Sequence, residues 1–198
     1  HSRIADRFKD EPGSIAIAAR HAIDSGDLDR ATPLAMEAAQ ALATGHDHAE
    51  AADLLEALLA RAHSPSIDVR EALAELYRTA GDYGKALEHA RAVAALIPDS
   101  SRAARRVGRV LTLSGKLDEA TRALAGARAL AESSNDAQAV VDVDALLAEL
   151  HYQRGAHDDA AKCADRALKG ANAEGNAALA IHARNTLARV ALVKKGAP

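Results

Sequence analysis

Tryptophan is absent from this 198-residue chain, and the only other aromatics are Phe8, Tyr77, Tyr83 and Tyr152. A sheet core draws on aromatic and β-branched side chains, so this shortage argues against one. Cysteine is nearly missing as well. Cys163 alone rules out an internal disulfide, fits a reducing cytoplasm and reads as a small buried filler. No sign of charge is in excess. The net charge of -3 supplies no basic field to hold nucleic acid or an anionic membrane. No apolar run approaches the roughly 18 residues of a membrane span. The opening His1-Ser2-Arg3-Ile4 has no signal-peptide pattern. There is no glycine-rich Lys-Ser or Lys-Thr phosphate loop.

What is present is alanine and leucine, within 48% hydrophobic and 27% charged residues, the balance of a folded soluble protein. Small and unbranched side chains favour helices that approach closely. The chain opens without methionine and closes on Lys194-Lys195-Gly196-Ala197-Pro198, where one helix is expected to turn into another. Both ends read as those of a fragment of a larger protein.

Three segments share one template. The first is Leu73-Ala74, Tyr77, Gly81-Asp82-Tyr83, Ala86, Ala90, Val93 and Pro98. The second is Val107-Gly108, Leu111, Gly115, Leu117, Ala120, Leu124 and Ala127. The third is Leu147-Ala148, His151, Gly155, His157, Ala160, Ala164 and Ala167-Leu168, with a half-copy in Leu187-Ala188 and Ala191. The small residue inside each first helix falls at Ala74, Gly108, Ala148 and Ala188, a spacing of 34, then 40, then 40. A small residue on each helix lets a pair cross closely, and glycine supplies the helix-ending backbone. The pattern resembles the tetratricopeptide repeat family over most of residues 67 to 170. The resemblance implies an all-α, right-handed solenoid of helical hairpins, about ten helices in all.

The periodicity predicts helices over 14–25, 28–43, 47–62, 67–80, 83–96, 101–114, 117–131, 137–154, 157–170 and 176–194. Ser64-Pro65-Ser66, Asp99-Ser100-Ser101 and Ser133-Ser134-Asn135-Asp136 carry the capping and turn chemistry between them. The whole is expected to be one array: irregular repeats over 1–62, three in-phase repeats over 67–170 and an unpaired helix over 176–194. In the first part, Gly26-Asp27-Leu28 with Ala31 looks like a turn inside a repeat. Counting back from residue 67 instead makes 28–43 a first helix and 47–62 its partner, which keeps the alternation and is preferred. Arg3-Ile4-Ala5, Ala18-Ala19-Arg20-His21, Ser25 to Ala31 and Ala51 to Leu55 also resemble the junction after the ATPase module in bacterial STAND-type signalling proteins, including multidomain regulators and Ser/Thr kinases. That resemblance implies an ATPase or kinase elsewhere in the parent.

In tetratricopeptide arrays the first helices line a groove. Their second positions here are Asp68, Arg102, Asp142 and His182, and their ninth are Glu75, Arg109, Glu149 and Arg189, so charge alternates from repeat to repeat. Two readings stand side by side. Either neighbouring first helices pair laterally, or Arg102, Arg105, Arg106 and Arg109 hold an acidic peptide through charge-assisted bonds. Glu75, Tyr77, Arg78, Glu149 and Tyr152 complete the candidate partner-binding set, the two tyrosines as its only aromatics. Arg102 and Arg106 match two basic positions of the family's clamp for a C-terminal carboxylate, but Glu37, Ala41 and Ala72 stand where lysine and asparagine are needed.

His46-Asp47-His48 beside His63, and His151 with His157 and Asp158, are better read as structural than as zinc ligands, which come in convergent sets of three or four. Neither a metal nor a cofactor is expected. The single cysteine has no partner for nucleophilic work, so catalysis is not expected either. The leading expectation is a non-catalytic, cytoplasmic protein-interaction scaffold of a bacterial signalling protein, with no nucleic-acid or membrane partner. Two alternatives are an effector sensor regulating an adjoining ATPase or kinase, and an oligomerisation module that dimerises through its last helix.

Overall fold

The computed structural model describes residues 14–62 and 66–196, so Arg3-Ile4-Ala5, Phe8, His63 and Ser64-Pro65 lie outside it. Among the described residues there are ten helices and no strand. They are α1 (Ser14–Ser25), α2 (Leu28–Thr44), α3 (His48–Arg61), α4 (Ile67–Ala80), α5 (Tyr83–Leu96), α6 (Ser101–Leu113), α7 (Leu117–Ser133), α8 (Ala137–Gln153), α9 (His157–Ala173) and α10 (Ala177–Gly196). None is long and apolar enough to cross a membrane. The helices fall into two compact units, His1–Leu96 and Ile97–Pro198.

One junction design recurs. At most junctions between the described helices a residue with positive φ ends one helix and the next residue stands at the cap position of the following one. In the second unit these left-handed residues are Gly115, Asn135, Gly155 and Gly175, twenty residues apart. Asp136 then accepts from Ala139 N at 2.9 Å and Asn176 from Leu179 N at 3.1 Å. Lys116 and Ala156 make no such bond, and α7 and α9 instead open on acidic pairs, Asp118-Glu119 and Asp158-Asp159, that face the positive end of the helix dipole. In the first unit Asp27 and Asp47 cap α2 and α3 behind Gly26 and His46. His46 and Asp47 are thus turn and cap, and among the described residues no group of three or more potential ligands gathers for a metal.

Within the second unit α6 pairs with α7 and α8 with α9, while the first helices α6, α8 and α10 also touch in succession. Small residues set these approaches. Val141, Ala171 and Ala180 form one buried layer and Ala145, Ala167 and Ala183 the next, one residue from each of α8, α9 and α10. The numbers rise on α8 and α10 and fall on α9, as antiparallel packing requires. In the first unit α4 pairs with α5, and α2 packs on α1 and α3 and reaches α4 in the manner of neighbouring first helices. α1 touches α3 in the same way, so these contacts do not choose between the two registers.

Ala74, Ala86, Gly108, Ala120, Ala148 and Ala160 are all buried, as the template requires. The main boundary difference is α9, expected to stop at Gly170 but continuing to Ala173. Gly170 is not a stop signal. A Cβ there would stand 3.3 Å from Val141 Cβ and overlap its Cγ2, so the glycine marks a crossing too close for any side chain. Gly108 does the same against Leu124, whose Cγ would lie 2.6 Å from an added Cβ.

Two glycine substitutions separate these roles. Gly126, inside α7, has nothing within 4 Å of an added Cβ, so Gly126→Ala should stabilise by up to about 1 kcal/mol. Gly170→Ala must displace the stiff Val141 side chain and should destabilise on balance, overpacking costing about 1–3 kcal/mol. Ala86→Leu, at a fully buried position, should cost a similar amount. Denaturant titrations in which Gly170→Ala stabilises as much as Gly126→Ala would contradict this packing.

Candidate binding surface

The candidate residues divide between the units. In the second, the first helices carry them on one side. Arg102, Arg105 or Arg106, and Arg109 recur at three- and four-residue steps and share one face of α6. Arg105 reaches α8 and pairs with Asp142, which also accepts from Gln138 Nε2 at 3.0 Å. Burial, together with the charges of Arg102, Arg106 and Arg109, holds Arg105 below the ordinary arginine range. The cluster is therefore crowded with like charge.

One helix on, Glu149 accepts from Arg189 of α10 at 2.7 Å and from Gln153 at 3.1 Å. The Arg189 guanidinium lies 3.9 Å from the centroid of the Tyr152 ring, which in turn leans on His157 at 5.6 Å. The hydrogen bond to Glu149 raises Arg189 above its usual value. Ninth positions of successive first helices thus pair laterally here, with Tyr152 as the platform. Asp142, at the second repeat position of α8, pairs with Arg105 from the fifth position of α6.

In the first unit Glu75 binds Arg78 of its own helix, Nε to Oε2 at 2.9 Å. Glu75 also lines a recess of about 240 Å³ between α2 and α4 with Met36, Gln40, Ala43, Ala72 and Thr79. Tyr77 departs from its expected role as a groove aromatic. It is 8% exposed, stacks on His89 at 5.7 Å and donates to Glu56 at 3.2 Å. Its place one residue past Leu76 and four past Leu73 puts it on the inward stripe of α4, where α3 and α5 cover it. Burial and Glu56 push the phenol up to about 12.

Two polar clusters escaped the sequence reading. One is Glu56, shared by Tyr77 and by the buried His89 at 3.0 Å. The other is Asp144, 4% exposed at its side chain, which accepts from Arg128 Nε at 3.1 Å and from Arg166 Nε and Nη2 at 2.9 and 2.8 Å. The signal was legible: Asp144 falls among Val141, Val143, Ala145, Leu147 and Ala148, all buried, and a carboxylate on an apolar stripe demands a cation. Arg166 is raised in turn, chiefly by its hydrogen bonds to Asp144. The neighbouring Cys163 thiol is raised by burial and receives Arg166 Nη2 at 3.2 Å. That is the setting of a neutral wall residue.

No protein-family model and no curated protein sequence matches the chain. Its fold is that of solved tetratricopeptide repeat structures. The crystal structure of YrrB, described as a TPR protein with an unusual peptide-binding site, is 18% identical with a TM-score of 0.57, covering 93% of this chain and 97% of that one. MamA is 13% identical with a TM-score of 0.65, covering 87% and 97%. BtubC from P. vanneervenii is 16% identical with a TM-score of 0.62, covering 98% and 93%.

Tyr77 generates a pH prediction. The folded protein keeps the phenolic proton up to about pH 12, whereas an unfolded tyrosine loses it near about pH 10. The stability this contributes is complete below about pH 10 and is lost as pH rises towards about 12. Tyr77→Phe should flatten the alkaline limb of a stability-against-pH curve in that window. An unchanged limb would remove Tyr77 as its source.

Proposed function

We propose that the chain is a non-catalytic protein-interaction scaffold whose first helices hold an acidic segment of a partner polypeptide. The observation that carries this reading is the arginine row of α6. Four guanidiniums share little more than two turns, and burial, joined by repulsion from Arg102, Arg106 and Arg109, depresses Arg105 even though Asp142 pairs with it. An incoming carboxylate relieves that repulsion through charge-assisted hydrogen bonds. Glu149, Tyr152 and Arg189 form the neutral, partly aromatic continuation of the same face. Solenoids of this kind present surface rather than chemistry. A peptide-binding site in a protein of the same fold supports the partner class.

The setting is proposed as a docking module of a bacterial signalling protein in the cytoplasm. It is supported by the likeness of Ala18 to His21, Ser25 to Ala31 and Ala51 to Leu55 to the junction that follows a STAND-type ATPase, and by the unpaired, buried thiol of Cys163.

Anisotropy titrations with a labelled acidic peptide test the reading. Changing Arg102, Arg105 and Arg106 to alanine should weaken binding at least about tenfold and flatten its salt dependence. The double change of Arg102 and Arg106 spares the Asp142 partner and should show the same trend. Equal affinity for acidic and basic peptides, or for wild type and variants, would refute it.

A second reading, association of copies through α10, draws on Leu192 at 70% exposed and Ile181 at 55%. Ala188 is exposed where the matching Ala148 is 1% exposed. Sedimentation equilibrium should then show concentration-dependent mass that Leu192→Gln abolishes. A monomer at every concentration excludes it.

A further inference from the structure

The second helices of the second unit, α7 and α9, flank α8, and between them lies an open cleft of about 490 Å³. Its α8 residues, Leu147 and His151, stand two places from Glu149 in either direction. Buried Asp144 stands two places from Asp142 in the same way. Two residues turn an α-helix by about 200°, so the cleft is on the far side of α8 from the first-helix face. It is a separate surface.

Two guanidiniums enter this cleft, one from each flanking helix, and both donate to the same oxygen, Asp144 Oδ1. The bidentate Arg166 by itself neutralises the buried carboxylate in the fork geometry that suits the pair. Arg128 is then surplus, and the trio carries one net positive charge. Its Nη1 is occupied at 2.6 Å by Glu132 of the same helix, a side chain 53% exposed at the rim. An exposed partner four residues along a helix is weakly held and readily exchanged. Around these charges the walls are small and apolar: Ala125 and Ala129 on α7, Leu147 on α8. The volume is within the range of small-molecule and side-chain sites.

We infer that this cleft is a second binding site, which takes a glutamate or aspartate side chain of a partner polypeptide. The carboxylate displaces Glu132 from Arg128 and reaches Arg166, while the apolar neighbours of the acidic residue rest on Ala125, Ala129 and Leu147. A polypeptide suits the site better than a free acid, because the cleft is open and a small ion would gain only the solvated edges of the guanidiniums. The site does not depend on the arginine row of α6.

NMR titration of the intact chain tests this, following the Nε–H signals of Arg128 and Arg166 and the methyls of Leu147. The probes are a capped peptide with one glutamate between two leucines, its glutamine counterpart, and glutarate. Saturable shifts at these three residues are expected with the glutamate peptide. Binding should be about tenfold weaker for the glutamine peptide and for Arg128→Met. Glu132→Gln, a surface change that leaves the fold intact, removes the internal competitor and should tighten binding by about threefold. Equal binding of the two peptides, or no gain from Glu132→Gln, overturns the site. Shifts confined to Arg105, Glu149 and Arg189 overturn it as well, and place the peptide on the first-helix face instead. Glutarate saturating the same signals at the peptide's concentration overturns the assignment to a polypeptide.

Discussion

Close approach of neighbouring helices is the constraint on which the rest of this molecule depends. At Gly108 against Leu124, and at Gly170 against Val141, the distance leaves no room for even one methyl group. In the layers of α8, α9 and α10, alanine fills nearly every position. Such packing gains little from any one side chain, since alanine has little apolar area to bury. It gains from many dispersion contacts at native density, made by residues that lose no rotamer freedom on folding. Aromatics are scarce because large rings would force the helices apart, and Tyr77 is accommodated where α3 and α5 leave space and Glu56 takes its hydroxyl.

The same closeness brings charge onto shared surfaces. Helices separated by small residues place their flanking long side chains within reach of one another, so Glu149 meets Arg189 and Arg105 meets Asp142 across first helices. On the opposite side of α8, Asp144 meets Arg128 and Arg166 across second helices. The two sides differ in what burial does to them. The first-helix pairs are partly exposed and worth about 0–1 kcal/mol each, which leaves them free to exchange partners. Asp144 is enclosed, and removing its partners would strand a buried charge at a cost of several kcal/mol, so it is a fixed anchor for the arginines around it. Fixed anchors with movable outer partners are what a binding surface requires.

Helix positions, the hairpin alternation and the crossing residues were legible in the chain because each is a local matter. Periodicity places the apolar stripe, glycine or asparagine supplies the left-handed turn, and aspartate or serine caps the next helix. Gly170 shows where that locality ends. Along the chain, a glycine that ends a helix and a glycine that admits Val141 look alike, and only the neighbouring helix tells them apart. Tyr77 was misplaced because its repeat position shows that it is on α4 but not how deeply α3 and α5 cover it.

By itself the sequence determined an all-helical chain of hairpins, the alternating charge of the first helices and the want of a basic field, since composition and spacing act through each residue's own backbone and immediate neighbours. Tertiary structure alone decided which charges meet. Glu149 takes Arg189 from 40 residues away, and Asp144 takes one arginine from 16 residues before it and another from 22 after. The physical reason is that an ion pair needs two side chains within about 4 Å and a burial that sets its strength. Both are properties of helices already packed, on which the order of residues along one helix is silent.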